Sequence, residues 1–201
     1  MKKHVKMSVL KRILAVVLAA AVAVSILTVP DAAVSAATGK VKSVAVTNLP
    51  AKQLTLKKGK SFTLKTKVSI SGKKVSKAVT YKSSNKKVAT VNAKGKITAK
   101  KNGKAVITVI SKANKKKTVK IKVTVGTPVT KVKLNKTKAN LNVGKSLTLK
   151  TILSPKKPSN KGIIWKSSNT KVATVTSKGV VKAKKAGTVT ITATAKDGSG
   201  K

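Results

Sequence analysis

An eleven-residue phrase occurs twice, as YKSSNKKVATV at 81–91 and as WKSSNTKVATV at 165–175. A recurrence 84 residues on, in a chain of 201, limits each repeating unit to about 85 residues, enough for one modest core. The surrounding turns recur with it. KKGKS (57–61) matches NVGKS (142–146), NAKGK (92–96) matches TSKGV (176–180), and KKNGK (100–104) matches KKAGT (184–188). Val44 and Val46 match Val132 and Leu134, so the copies align along nearly their whole length, with loops that differ slightly in size. The expected units are 40–126 and 128–201, joined by the short linker GTPVT at 126–130, in which Pro128 cannot donate to a strand ladder.

Within each unit the apolar residues alternate. In TVKIKVTV, Val119, Ile121, Val123 and Val125 fall on one face, with Lys120, Lys122 and Thr124 on the other. SFTLKTKVSI places Phe62, Leu64, Thr66, Val68 and Ile70 on one face. Its counterpart SLTLKTILS gives Leu147, Leu149, Thr151 and Leu153, and GTVTITATA gives Val189, Ile191, Ala193 and Ala195. Period two, rich in Val and Thr, predicts strands with one buried face. The recurrent glycines sit between these runs as turns. Short strands at even spacing, with no helical stripe beyond residue 38, predict an all-β sandwich or barrel. The second copy stops short: after ITATA it reads KDGSGK, and nothing answers TVKIKVTV. Either the chain is a shortened product or something outside it fills the gap, and the second unit is expected to be the less stable one.

The first 37 residues read differently. A basic start, MKKHVKMSVLKR, precedes an unbroken apolar run from Ile13 to Val29, then Pro30 and small residues around Val34-Ser35-Ala36. This is the pattern of a secretory signal peptide, assigned to 1–37; an uncleaved membrane anchor is the alternative, and membrane contact is expected only through this segment. The segment holds His4, Asp31 and Arg12 along with Lys2, Lys3, Lys6 and Lys11, so 42 of the 47 basic residues and one of the two acids, Asp197, lie beyond it. With no Cys, His or Glu there, paired carboxylates, zinc sites and His-dependent nucleophiles have no parts. Calcium sites need more carboxylate oxygen than one Asp supplies. A Ser–Lys pair is the one arrangement left, and both residues are too abundant for spacings such as Ser168 to Lys171 to mean anything. The expectation is a protein with no catalytic residue, no metal and no cofactor.

The repeated block, the Gly-x-Ser elements at Gly59–Ser61 and Gly144–Ser146, the following Gly95 and Gly179, and the turn at Gly187 resemble the bacterial immunoglobulin-like domain, group 2, twice over. The resemblance covers about 160 residues. It implies two tandem Ig-like β-sandwich domains, the second lacking its last strand, of a kind found on bacterial surface and secreted proteins and similar to the stalk domains of intimin- and invasin-type adhesins. Tyr81 and Trp165, heading the phrase, are then expected as core aromatics, with Ser84-Asn85 and Ser168-Asn169 bonding backbone at a turn.

The lysines fall at outward strand positions and in turns, and Lys73, Lys74, Lys100, Lys101, Lys115, Lys116, Lys117, Lys184 and Lys185 are the candidate contacts for a polyanion. Solvated faces that resist aggregation explain part of this pattern. A field with almost no opposing charge also attracts polyanions, and export points to anionic cell-wall polymers or host and cell-surface polysaccharide as partners. Sequence-specific nucleic-acid readout is not expected without Arg or stacking aromatics. Two readings remain: a structural or adhesive module of a secreted or surface protein, or a carbohydrate- or polymer-binding module with a defined site, in either case as a whole protein or as a fragment of a larger surface protein.

Overall fold

The computed structural model describes residues 39–201; the apolar run at 13–29, and the signal-peptide reading with it, lies outside them. Strands follow the alternating segments, and no helix occurs among the described residues. Repeat 1 contains β1 (Lys40–Val46), β2 (Gln53–Leu56), β3 (Ser61–Thr63), β4 (Thr66–Ser71), β5 (Val79–Ser83), β6 (Ala89–Val91), β7 (Lys96–Ala99), β8 (Gly103–Ser111) and β9 (Thr118–Val125). Repeat 2 contains β10 (Lys131–Leu134), β11 (Ser146–Thr148), β12 (Thr151–Ser154), β13 (Ile163–Ser167), β14 (Ala173–Val175), β15 (Val180–Ala183) and β16 (Ile191–Ala195).

One layer of repeat 1 is the sheet β2-β9-β8-β5; the other is built from β1-β4 and β3-β7-β6. This is the two-layer Ig-like arrangement. β8 and β9 form a long antiparallel hairpin, and β2 joins its outer edge parallel to β9, from Gln53↔Lys122 to Leu56↔Val125. Val119, Ile121, Val123 and Val125 of β9 are all buried, each contributing about 1.5–3 kcal/mol of transfer free energy. They join Ile97, Ile107 and Val109 in a core of sixteen buried apolar residues.

SFTLKTKVSI divides into two strands because its partners change. Leu64 N–H donates to Gly95 O at 3.0 Å, and Lys65 N–H donates to Asn48 Oδ1 at 2.9 Å, which moves the chain from pairing with β7 to pairing with β1. Repeat 2 breaks at the same place: Leu149 N–H donates to Gly179 O at 2.9 Å and Lys150 N–H to Asn135 Oδ1 at 2.7 Å.

Repeat 2 keeps β10-β12, β11-β15-β14 and β13-β16 and, among the described residues, has no counterpart of β9 or β2. In repeat 1, β2 has β9 as its sheet neighbour; in repeat 2, Ala139–Val143 forms no strand among the described residues. The β8 counterpart shrinks from nine residues to five. Three residues, Leu149, Ala173 and Val181, form the buried cluster, with Trp165, Val189 and Ile191 partly buried against it.

Candidate functional site

The repeated phrase builds a corner that fastens two turns together. Ser83 Oγ donates to Ala89 O at 2.7 Å and accepts from Asn85 N–H at 3.2 Å, and Asn85 Oδ1 accepts from Lys87 N–H at 3.1 Å. Ser84 Oγ accepts from Val106 N–H at 2.8 Å, binding the corner to β8. Ser167, Asn169 and Ser168 repeat these bonds, to Ala173 O at 2.7 Å, from Lys171 N–H at 3.0 Å and from Thr190 N–H at 3.0 Å. The phrase is therefore a structural corner, and none of its polar atoms forms a reactive set.

The two aromatics cover turn glycines. A Cβ on Gly95 would lie 2.8 Å from the Tyr81 hydroxyl, and one on Gly179 would lie 2.8 Å from Trp165 Cζ2. Both glycines adopt φ near +80°, 76° and 81°, where a side chain would also be strained. Tyr81 and Trp165 are half-buried and pack against the cores of their repeats. The Tyr81 hydroxyl reaches Thr66 Oγ1 at 3.4 Å.

The nine lysines singled out in sequence are all exposed, and the topology sorts them into groups. Lys73 and Lys74, in the β4–β5 loop, share one end of repeat 1 with Lys115, Lys116 and Lys117 of the β8–β9 loop; Lys112 N–H donates to Ala78 O at 2.9 Å between these loops. Lys100 and Lys101 lie at the other end, where both amides donate to Val88 O, at 2.8 and 3.2 Å. Lys184 and Lys185 occupy the equivalent place in repeat 2 and donate to Val172 O at the same distances. The lysines thus make separate basic ends and no single continuous site.

The remaining acid has a role that sequence reasoning missed. Asp197 is fully buried where the repeats meet. Its Oδ2 accepts from Val129 N–H in the linker at 2.6 Å, its Oδ1 from Ser199 N–H at 3.0 Å, and its carbonyl from Thr55 N–H in β2 at 2.7 Å. Asn160 Nδ2 donates to Gln53 Oε1 at 2.8 Å, and Thr127 N–H to Ser159 Oγ at 2.8 Å. A Cβ on Gly198 would lie 2.7 Å from Leu49 Cδ2, so the turn after β16 presses directly on repeat 1. Linker residue Val129 is itself buried. Thr55 Oγ1 and Ser199 Oγ are buried there without partners, each at a cost on the order of 1–3 kcal/mol. Nothing in KDGSGK announces a partner 68 residues away.

Residues 40–121 and 128–201 match the family model of the bacterial Ig-like domain (group 2). An uncharacterized protein of Clostridium acetobutylicum is 44% identical over 70 residues, which is 35% of this chain and 7% of that protein. Kappa-carrageenase of Pseudoalteromonas carrageenovora is 48% identical over 69 residues, 34% of this chain and 17% of the enzyme. The matched stretches are thus a small part of either relative's length. Among solved structures, an intimin mutant of EHEC O157:H7 is similar at 23% identity and a TM-score of 0.30, over 49% of this chain and 50% of that one.

Proposed function

Because the chain belongs to the bacterial Ig-like domain (group 2) family, we propose that it is a non-catalytic structural or adhesive module of a secreted or cell-surface protein, whose lysine-clad exterior associates with anionic envelope polymers. One observation carries the polymer reading. The sole acidic side chain among the described residues, Asp197, is buried at the repeat junction, while lysines stand exposed at both ends of repeat 1 and at one end of repeat 2. Among the described residues the outer surface therefore offers polyanions positive charge with no competing carboxylate side chain, and its attraction is electrostatic. Among the described residues no group of three or more His, Cys, Asp or Glu side chains forms a cation site.

Sedimentation with purified cell walls tests this reading. Retention at low salt should fall away by about 0.5 M NaCl, where the Debye length is about half its physiological value. Walls stripped of teichoic acids and acidic polysaccharide should retain far less. Retention that salt leaves untouched, or none at low salt, overturns the proposal. A second reading, that the pair is the accessory part of a larger carbohydrate-active protein with a defined site, draws on the partial match to kappa-carrageenase. It requires an aromatic platform, whereas Trp165 lies over Gly179; strong acrylamide quenching of Trp165 would favour it.

A further inference from the structure

The end of repeat 1 formed by its β4–β5 and β8–β9 loops corresponds to the end of repeat 2 that makes the seam. Ser111 N–H donates to Lys117 O at 3.1 Å, as Ala195 N–H donates to Lys201 O at 2.7 Å. Lys112 N–H donates to Ala78 O at 2.9 Å, as Lys196 N–H donates to Gly162 O at 2.8 Å. Counted from these bonds, Ala113 stands where repeat 2 has Asp197, and Lys74 where it has Pro158. Counted from Val44 and Val132, Val41 and Lys40 take the places of Val129 and Pro128. In repeat 2, Asp197, Val129 and Pro158 are all buried. In repeat 1, Val41 is buried too, but Lys40, Lys74 and Ala113 are exposed, and with Val75, Asn114 and Lys117 they line an open pocket of about 490 Å³. The position that closes a seam in one repeat is a basic pocket in the other.

Every polar side chain in the wall can donate. Lys40, Lys74 and Lys117 offer ammonium groups. Ser76 Oγ already accepts from Ala78 N–H at 3.2 Å and Asn114 Oδ1 from Lys116 N–H at 3.1 Å, so a hydroxyl proton and an amide NH2 are what these two have left to give. Lys74 holds φ at 61°, a conformation cheap for Gly and strained for a residue with a Cβ; such strain gathers at ligand-binding positions. Residues 1–38 bring no counter-charge, with five basic side chains and one acidic, and a protein partner would have to desolvate three lysines at once. We propose that this pocket binds one phosphate group on a small polyol or sugar unit, as at the end of a phosphorylated polymer. Its volume is that of a small-molecule site, lysines bind phosphate as point charges, and three of them match the charge of about −1.5 to −2 on a phosphate monoester better than the single charge of a carboxylate. For its ligand the assignment rests on the polyanion reading, which it narrows: the other basic ends attract a polymer diffusely, and this one seats a unit of it.

The probe is glycerol 3-phosphate, titrated into the full chain and read by the NMR shifts of the Lys40, Lys74, Ser76 and Asn114 amides, with glucuronate and glycerol as comparisons. Glycerol 3-phosphate is expected to move these amides along one saturable curve and to bind roughly fivefold tighter than glucuronate, while the amides of Lys100, Lys101, Lys184 and Lys185 drift without saturating and glycerol moves none. Lys74→Gly keeps the backbone conformation and removes the charge, and Lys117→Gln removes another; each should weaken binding about fivefold. Lys100→Gln with Lys101→Gln, a larger loss of charge at the far end, should change it by less than about twofold. Unchanged shifts at Ile107–Val109 confirm that repeat 1 is still folded in each variant. Shifts that fail to saturate, or full affinity in both pocket variants, overturn the site, and equal binding of glucuronate overturns phosphate as its ligand. Nuclear Overhauser contacts from residues 30–38 to Val75, undisturbed by glycerol 3-phosphate, would give the pocket to the chain itself and overturn the proposal. Salt-sensitive retention on cell walls alongside any of these failures leaves the polyanion reading standing; saturable binding without such retention overturns that reading and makes a free phosphate ester, not a wall polymer, the source of the ligand.

Discussion

Repeats 1 and 2 share a corner and differ in a core. Ser83 reaches Ala89 O at 2.7 Å, and Ser167 reaches Ala173 O at the same distance. Yet Ile107, on β8, is wholly buried, while its counterpart Ile191, on β16, is only half-buried. A corner made of bonds within one phrase forms wherever the phrase occurs. Burial of an aliphatic depends on which strand lies beside it, and among the described residues repeat 2 has none where repeat 1 has β9. Local sequence thus reproduces local geometry, and the depth of the core depends on a distant segment.

The contrast is most directly broken at the matched isoleucines. Ile107→Ala should cost on the order of 4 kcal/mol, and Ile191→Ala about half of that, measured by urea unfolding with Trp165 emission reporting repeat 2 and circular dichroism reporting both. Equal costs would mean that the second core is as tight as the first. Hydrogen exchange sharpens the same point without mutation: amides of Ile107–Val109 should be more protected than those of Ile191–Ala193 by on the order of 2 kcal/mol. Asp197→Ala removes the acceptor of the buried Val129 amide, for a loss of about 1–3 kcal/mol; protease cleavage in the linker should accelerate, and the repeats should begin to unfold as separate transitions. Where the repeats agree, the effects should agree: Ser83→Ala and Ser167→Ala should each cost about 1 kcal/mol, in separate melts. Smallest of all, Lys100→Gln with Lys101→Gln, or Lys184→Gln with Lys185→Gln, should move stability by less than about 0.5 kcal/mol, in the stabilising direction at low salt, because self-repulsion is relieved.

Much of this was legible in the residues. The alternation of TVKIKVTV marked Val119, Ile121, Val123 and Val125 as inward, and all four are buried. Ser84-Asn85 and Ser168-Asn169 do bond backbone at the corner, although Ser83 and Ser167 bond it as well; in a Ser-Ser pair the sequence does not say which hydroxyl turns inward. GTVTITATA reads as a strand of full length, but only Ile191–Ala195 forms one, because alternation describes a face and not the neighbour that must pair with it. The lysine candidates lie in the turns between strand patterns, which the sequence marks locally, whereas the Asp197 junction depends on contacts between distant segments and leaves no periodic trace.

A tandem pair joined only by a bare five-residue tether would swivel. Here Val129 is buried and its amide is held by Asp197, while Gln53 and Asn160 bridge the same seam. The basic ends of the two repeats are consequently kept at a set spacing, like teeth on one comb. On the proposed polyanion reading, a long, regularly charged polymer that engaged one end would meet the next at high effective concentration, and loosening the seam would weaken that grip without removing a single positive charge.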